Sequence, residues 1–203
     1  MLKHPKLTLF GPRVAIIEIS DTLEGSIELP QTRHKVYSIG KVTHVGDGKV
    51  YLPGKKIGTY TPEIEQRYVE IDDIIMFQLP PQIVAAMTYQ IGDKGYLFLH
   101  QSDALAKLTK PVCSLENFQI VGRYVLCTRE RTSVTAGGIH LPDTVEDYND
   151  DLNHFKVIQV GQQVTKCAVG DSLIVDRSKA NPISLTGSQY FFIDEAWVHG
   201  VIG

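Results

Sequence analysis

The chain has 203 residues, 43% of them hydrophobic and 21% charged, and a formal net charge of −3. That composition is ordinary for a globular protein, and slight acidity with scattered Lys and Arg excludes the basic footprint of a nucleic-acid binder. No apolar run nears the roughly 20 residues that span a bilayer, so neither nucleic acid nor membrane is expected as a partner.

The N-terminus, Met1–Lys6, is basic but leads into no long apolar segment and lacks the Arg/Ser richness of a transit peptide. A cytoplasmic protein is therefore expected, and a mature organellar form is compatible. The first strand signal is Arg13–Ile17. Gly25-Ser26-Ile27-Glu28-Leu29-Pro30 follows, then a second strand signal, Lys41–Val45, closed by Gly46. From Asp47 to Tyr68 the chain holds Gly48, Pro53-Gly54, Gly58 and Pro62, the turn chemistry of a long hairpin. Ile71-Asp72-Asp73 leads into Ile74–Met76. The segment Pro81–Met87 can form a turn or two of helix, and Tyr96–Leu99 is a further strand.

Near Thr109-Lys110-Pro111 the pattern starts again. Arg123–Cys127 answers Arg13–Ile17, and Gly137-Gly138-Ile139-His140-Leu141-Pro142 answers Gly25–Pro30. Lys156–Gly161 answers Lys41–Gly46, Val169–Ile174 answers Ile71–Met76, and Tyr190–Ile193 answers Tyr96–Leu99. The order is the same in both halves and length differences fall between the blocks, as in a duplicated domain. The sequence thus predicts an all-β protein of two tandem domains, 1–109 and 110–203, each a small barrel of short strands. The hairpin segment 47–68 has only Gln162–Ala168 as its counterpart, too short for a hairpin.

The most specific segment is Thr132–Asp143. Thr, Ser, Ala and paired glycines raise the entropy cost of ordering, and two aliphatic side chains one residue apart, Ile139 and Leu141, share one face of an extended chain. A flexible tether ending in a paired apolar anchor suits a segment that orders on docking into a partner's groove.

With that loop, Val157–Gly161, the Val169-Gly170-Asp171 turn and the Tyr190–Ile193 strand, the second half resembles the GroES, or ten-kilodalton chaperonin, family. The first half carries the same blocks in weaker form. The resemblance implies two GroES-like barrels, each with a flexible loop, the first with a long roof hairpin. It implies a co-chaperonin that assembles into a ring and caps a GroEL-type chaperonin, assisting ATP-dependent folding. Gly137, Gly138, Ile139, His140 and Leu141 are then the chaperonin-binding residues, with Gly25, Ser26, Ile27, Glu28 and Leu29 as their counterparts. Domains supplied in pairs cannot match an odd-numbered ring, so the assembly is a homo-oligomer with some domains undocked or a ring mixed with a single-domain co-chaperonin. The first loop departs from the pattern: Ser26 replaces the second glycine, and Asp21–Ser26 is a short tether.

No catalytic chemistry is legible. The chain has 7 His and 3 Cys without ligand spacing, and neither a nucleophile elbow nor a Walker-type phosphate loop. No enzyme, no metal and no cofactor are expected, ATP belonging to the partner chaperonin. The reading from another class is a structural or accessory β-barrel protein, phage-encoded for example, that keeps the fold without capping. Loop chemistry discriminates between them, since a retired loop would lose the glycines and apolar pair that residues 137–141 retain.

Overall fold

The structure is a computed structural model and describes residues 7–19, 37–53, 60–110, 114–130, 152–185 and 187–202. The chain divides into two compact units, Met1–Val121 and Gly122–Gly203. The sequence expectation placed the seam at 109/110. The difference has a backbone cause, a short strand at Phe118–Ile120 described below.

In the first unit, β1 (Arg13–Glu18) pairs antiparallel with β2 (Tyr37–Val45) and with β7 (Lys94–His100). Beyond β2 come β5 (Ile74–Gln78), β8 (Ala104–Leu108) and β9 (Phe118–Ile120). β6 (Thr88–Ile91) lies outside β7, giving the order β6-β7-β1-β2-β5-β8-β9. A separate hairpin joins β3 (Lys49–Pro53) to β4 (Tyr60–Ile64), inside the segment whose glycines and prolines predict it. The one α-helix among the described residues, α1 (Pro81–Met87), starts on Pro81 and stays short.

The second unit repeats this order as β13 (Asn181–Leu185), β14 (Ser188–Asp194), β10 (Tyr124–Arg129), β11 (Leu152–Val160), β12 (Ser172–Asp176) and β15 (Val198–Ile202). The agreement extends to irregularities. The β1–β2 ladder skips a residue between Ala15 and Ile16, and β10–β11 does so between Leu126 and Cys127. The extra residue at such a bulge leaves the ladder. In the first unit it is Thr43, whose hydroxyl donates to the Ala15 carbonyl at 3.0 Å. Segment 162–168 forms no strand, as its length predicts.

One register differs from the sequence reading. Arg13 does not correspond to Arg123. Gly46 N–H donates to the Arg13 carbonyl and Gly161 N–H to the Tyr124 carbonyl, so Arg13 matches Tyr124 and Val14 matches Val125. Burial agrees, with Val14, Ala15 and Ile16 buried as are Val125, Leu126 and Cys127. A one-residue slip in a strand exchanges its two faces; the shared arginine is a coincidence of position.

The cores use different side chains in the same frame. A Cβ on Gly40 would lie 2.7 Å from Ile16 Cδ1. In the second unit Gly40's place is held by Phe155, 1% exposed, and Ile16's place by the smaller Cys127. Phe155 stacks edge-on against Phe191 at 5.1 Å. Volume moved from one strand to its neighbour, as a close-packed interior requires.

Candidate docking loops and sheet edges

The predicted anchors, Gly25–Leu29 and Gly137–Leu141, lie outside the described residues. Their roots lie within them, and the roots are the same in both units. The first loop leaves after β1 and returns into β2, where Glu18 faces Gly40 and Ile19 N–H donates to the Ile39 carbonyl at 2.9 Å. The second leaves after β10 and returns into β11, where Arg129 faces Phe155 and Glu130 N–H donates to the His154 carbonyl at 2.8 Å. Each loop therefore springs from two strands already in register, about 5 Å apart. At the second root the Glu130 carboxylate also accepts from the Ser172 hydroxyl on β12.

The strand ends revise the comparison of tethers. β1 ends at Glu18 and β10 at Arg129. Residues 19–24 thus precede Gly25, and residues 130–136 precede Gly137. The leading tethers are nearly equal, and the first loop is shorter mainly after its anchor, where 31–36 stands against 143–151. The difference between the loops before their anchors is therefore one of composition, including Ser26 for Gly138, rather than of reach.

Each β2-type strand is followed across the sheet by a turn of one construction. Asp73 Oδ2 accepts from Glu70 N–H at 2.7 Å, and Asp171 Oδ2 accepts from Ala168 N–H at 2.8 Å. Val42 N–H donates to the Asp73 carbonyl, Asp72 N–H to that of Val42; Val157, Asp171 and Gly170 repeat the pair. The middle residue has positive φ in both, Asp72 at 73° and Gly170 at 97°. Glycine suits that position, and Asp is among the few other residues that tolerate it. Lys41 Nζ reaches Asp72 at 2.8 Å.

Sequence reasoning missed two buried polar residues, Gln101 and Glu195, which stand in no motif. Each follows the strand pairing with β1 or β10 and opens a 3-10 turn. Gln101 Nε2 donates to Glu65 Oε1 at 2.7 Å and to the Gln66 carbonyl at 3.2 Å. Glu195 Oε1 accepts from the N–H groups of Thr165 and Lys166. Both hold down the segment that connects the β2-type strand to the Asp turn.

Cys127 is wholly buried, and burial pushes its thiol far above the usual range, with Cys167 adding to the rise. Burial also raises the Cys167 thiol, helped by the Glu195 and Asp171 carboxylates. The thiolate being the reactive form, both raised thiols are poor nucleophiles near neutral pH. Among the described residues no group of three or more His, Cys, Asp or Glu is placed to hold a metal. No helix among them is long and apolar enough to cross a membrane.

Residues 117–202 match the chaperonin 10 Kd subunit family. The similarity to that family lies in this second part of the chain. The match opens at the strand β9 and takes in both roots of the second loop. Co-chaperonin GroES of Sulfurovum sp. (strain NBC37-1) is 29% identical over 87 residues, which cover 42% of this chain and 98% of that protein. The ten-kilodalton chaperonin match thus falls on one repeat, and the first unit shares its strand order and turn construction.

Proposed function

We propose that this chain is a tandem co-chaperonin: two GroES-like domains that join with further copies in a ring and cap a GroEL-type chaperonin during ATP-dependent folding. The observation that carries the reading is the family match over 117–202, which includes the two strands framing Gly137–Leu141. Ile139 and Leu141 act as aliphatic anchors, flanking His140. Ile27 and Leu29 do the same from the first unit around Glu28. The chain hydrolyses nothing and binds no cofactor; ATP is bound by the chaperonin.

The sheet edges support a ring. β15 is the outer strand of the second sheet among the described residues. Its counterpart β8 is covered by β9, which precedes Gly122 just as Leu7-Thr8-Leu9 precedes Gly11. An open edge and a segment of the same sequence pattern as β9 suit a head-to-tail contact, and such contacts close into rings when the rotation permits.

The test is co-sedimentation of the purified chain with a GroEL-type chaperonin. Capture that requires ATP and is lost on changing both Ile139 and Leu141 to Ala is the expected result. No capture under any nucleotide condition overturns the reading.

A further inference from the structure

The two units differ at the point where the second loop begins. Turns with positive φ at Gly11 and Gly122, 70° and 63°, set the register of the halves. They carry matching bonds, from Gly48 N–H to the Gly11 carbonyl and from Gln163 N–H to that of Gly122. Glu130 is therefore the counterpart of Ile19, each the first residue after its strand. The backbone treats them alike, with Ile19 N–H on the Ile39 carbonyl at 2.9 Å and Glu130 N–H on the His154 carbonyl at 2.8 Å. The side chains do not match. The Glu130 carboxylate accepts from the Ser172 hydroxyl. In the first unit the same two places are held by Ile19 and Ile74, whose side chains neither donate nor accept.

The bond spans three strands. Thr128 on β10 is opposite Lys156 on β11, and Lys156 is opposite Ser172 on β12. Cys127, Phe155 and Leu173 belong to the core, so by alternation Thr128, Glu130, Lys156 and Ser172 share the other face. From there Glu130 reaches diagonally over β11 to β12, a span open to a long side chain. The contact is part-buried, and a hydrogen bond to a carboxylate is stronger than one between neutral groups. The residue that begins the second loop is thereby held twice, by the backbone of β11 and by a side chain of β12. Of these two bonds Ile19 has only the first.

We infer that Glu130 and Ser172 are positioning residues of the second loop, a latch that fixes where the chain departs for Gly137–Leu141. A root that frays lengthens its tether and adds conformations that docking must give up. The latch opposes fraying at the second root and not at the first, so it favours docking through Ile139 and Leu141 over docking through Ile27 and Leu29. The docking role rests on the co-chaperonin reading; the latch itself does not.

Amide hydrogen exchange of the full chain tests the latch without any chaperonin. Residue 130 should lose protection roughly tenfold or more in Ser172→Ala, while Ile19 in the same sample is unchanged. Ser172→Thr keeps the hydroxyl and should keep the protection. Glu130→Ala removes the other partner, and combined with Ser172→Ala it should do no more than either change alone. On an ATP-loaded GroEL-type chaperonin, Ser172→Ala should shorten the lifetime of the capped complex at least about tenfold, because every copy of the loop is unlatched at once. Ser172→Thr should restore it. Undiminished protection in Ser172→Ala overturns the latch, even where the wild-type chain caps. Lost protection with an unchanged lifetime overturns the docking role, as does a lifetime that follows the melting temperature of the variants rather than the protection of residue 130. A wild-type chain that no chaperonin captures overturns that role together with the reading beneath it, and the exchange result then decides the latch alone.

Discussion

Gln101 and Glu195 hold one position in the two units and bond with opposite polarity: Gln101 donates to a carboxylate and a carbonyl, while Glu195 accepts from two backbone N–H groups. Both are buried. The segment that each pins differs in the same sense, offering acceptors at Glu65 and Gln66 in the first unit and donors at Thr165 and Lys166 in the second. Glu195→Ala leaves two buried N–H groups unpaired and should cost about 2–4 kcal/mol. Glu195→Gln keeps one acceptor oxygen and should cost less. Urea denaturation of the three proteins checks the order; equal midpoints for Glu195→Ala and wild type would show that the segment rearranges freely.

The Gly40–Ile16 contact predicts a coupled pair. Gly40→Ala places a Cβ 2.7 Å from Ile16 Cδ1 and should destabilise by about 1–3 kcal/mol. Ile16→Val removes that methyl. In its background Gly40→Ala should cost less, a coupling of about 0.5 kcal/mol or more from a double-mutant cycle. Additive costs would mean that the backbone, not the side chain, takes up the strain.

Thiol labelling follows from burial. Cys127 should resist iodoacetamide in the native protein at pH 8 and label only on unfolding, because burial both shields it and holds it protonated. Cys167, part-exposed but with its thiol also raised, should react slowly in the native state. Peptide mapping by mass spectrometry after a timed pulse separates the sites.

For docking, Ile139→Ala or Leu141→Ala removes half of an aliphatic pair worth about 1.5–3 kcal/mol per fully buried side chain. In the proposed ring one loop alone binds weakly, and the copies multiply the loss. Stable capping should be lost. Ile27→Ala should be milder. The leading tethers being nearly equal in length, composition and Ser26 in particular must carry that ranking. The lifetime of the ATP-loaded complex measures it. A more damaging Ile27→Ala would reverse the assignment of the main anchor.

Strand positions along the chain, the Asp73 and Asp171 turns and the hairpin segment were legible because each is written in local chemistry: β-branched runs, a residue fit for positive φ, glycine and proline at bends. The seam was not. Pro111 marks a break in the sequence, but Phe118–Ile120 pairs backward onto β8, and no local signal tells a strand which sheet it joins. The slip at Arg13 has a similar origin, since an identical residue outweighed the Gly11 and Gly122 turn that fixes the register. Gln101 and Glu195 were invisible because a buried polar side chain is defined by what folds over it. For the candidate site, the anchors rest on the family resemblance together with residue types and spacing and lie outside the described residues, while the equality of the loop roots needed the strand pairings.

The β8–β9 pairing has a consequence for assembly kinetics. Every contact of that type forms when a chain folds, at the effective concentration set by the short link from Leu108 to Phe118, millimolar in order for short flexible links. In the proposed ring each chain brings two domains already joined covalently. Fewer bodies lose their translational freedom than in an assembly of single domains with as many seams. Such a lid should persist at dilutions that scatter a ring of separate domains joined by equally strong seams.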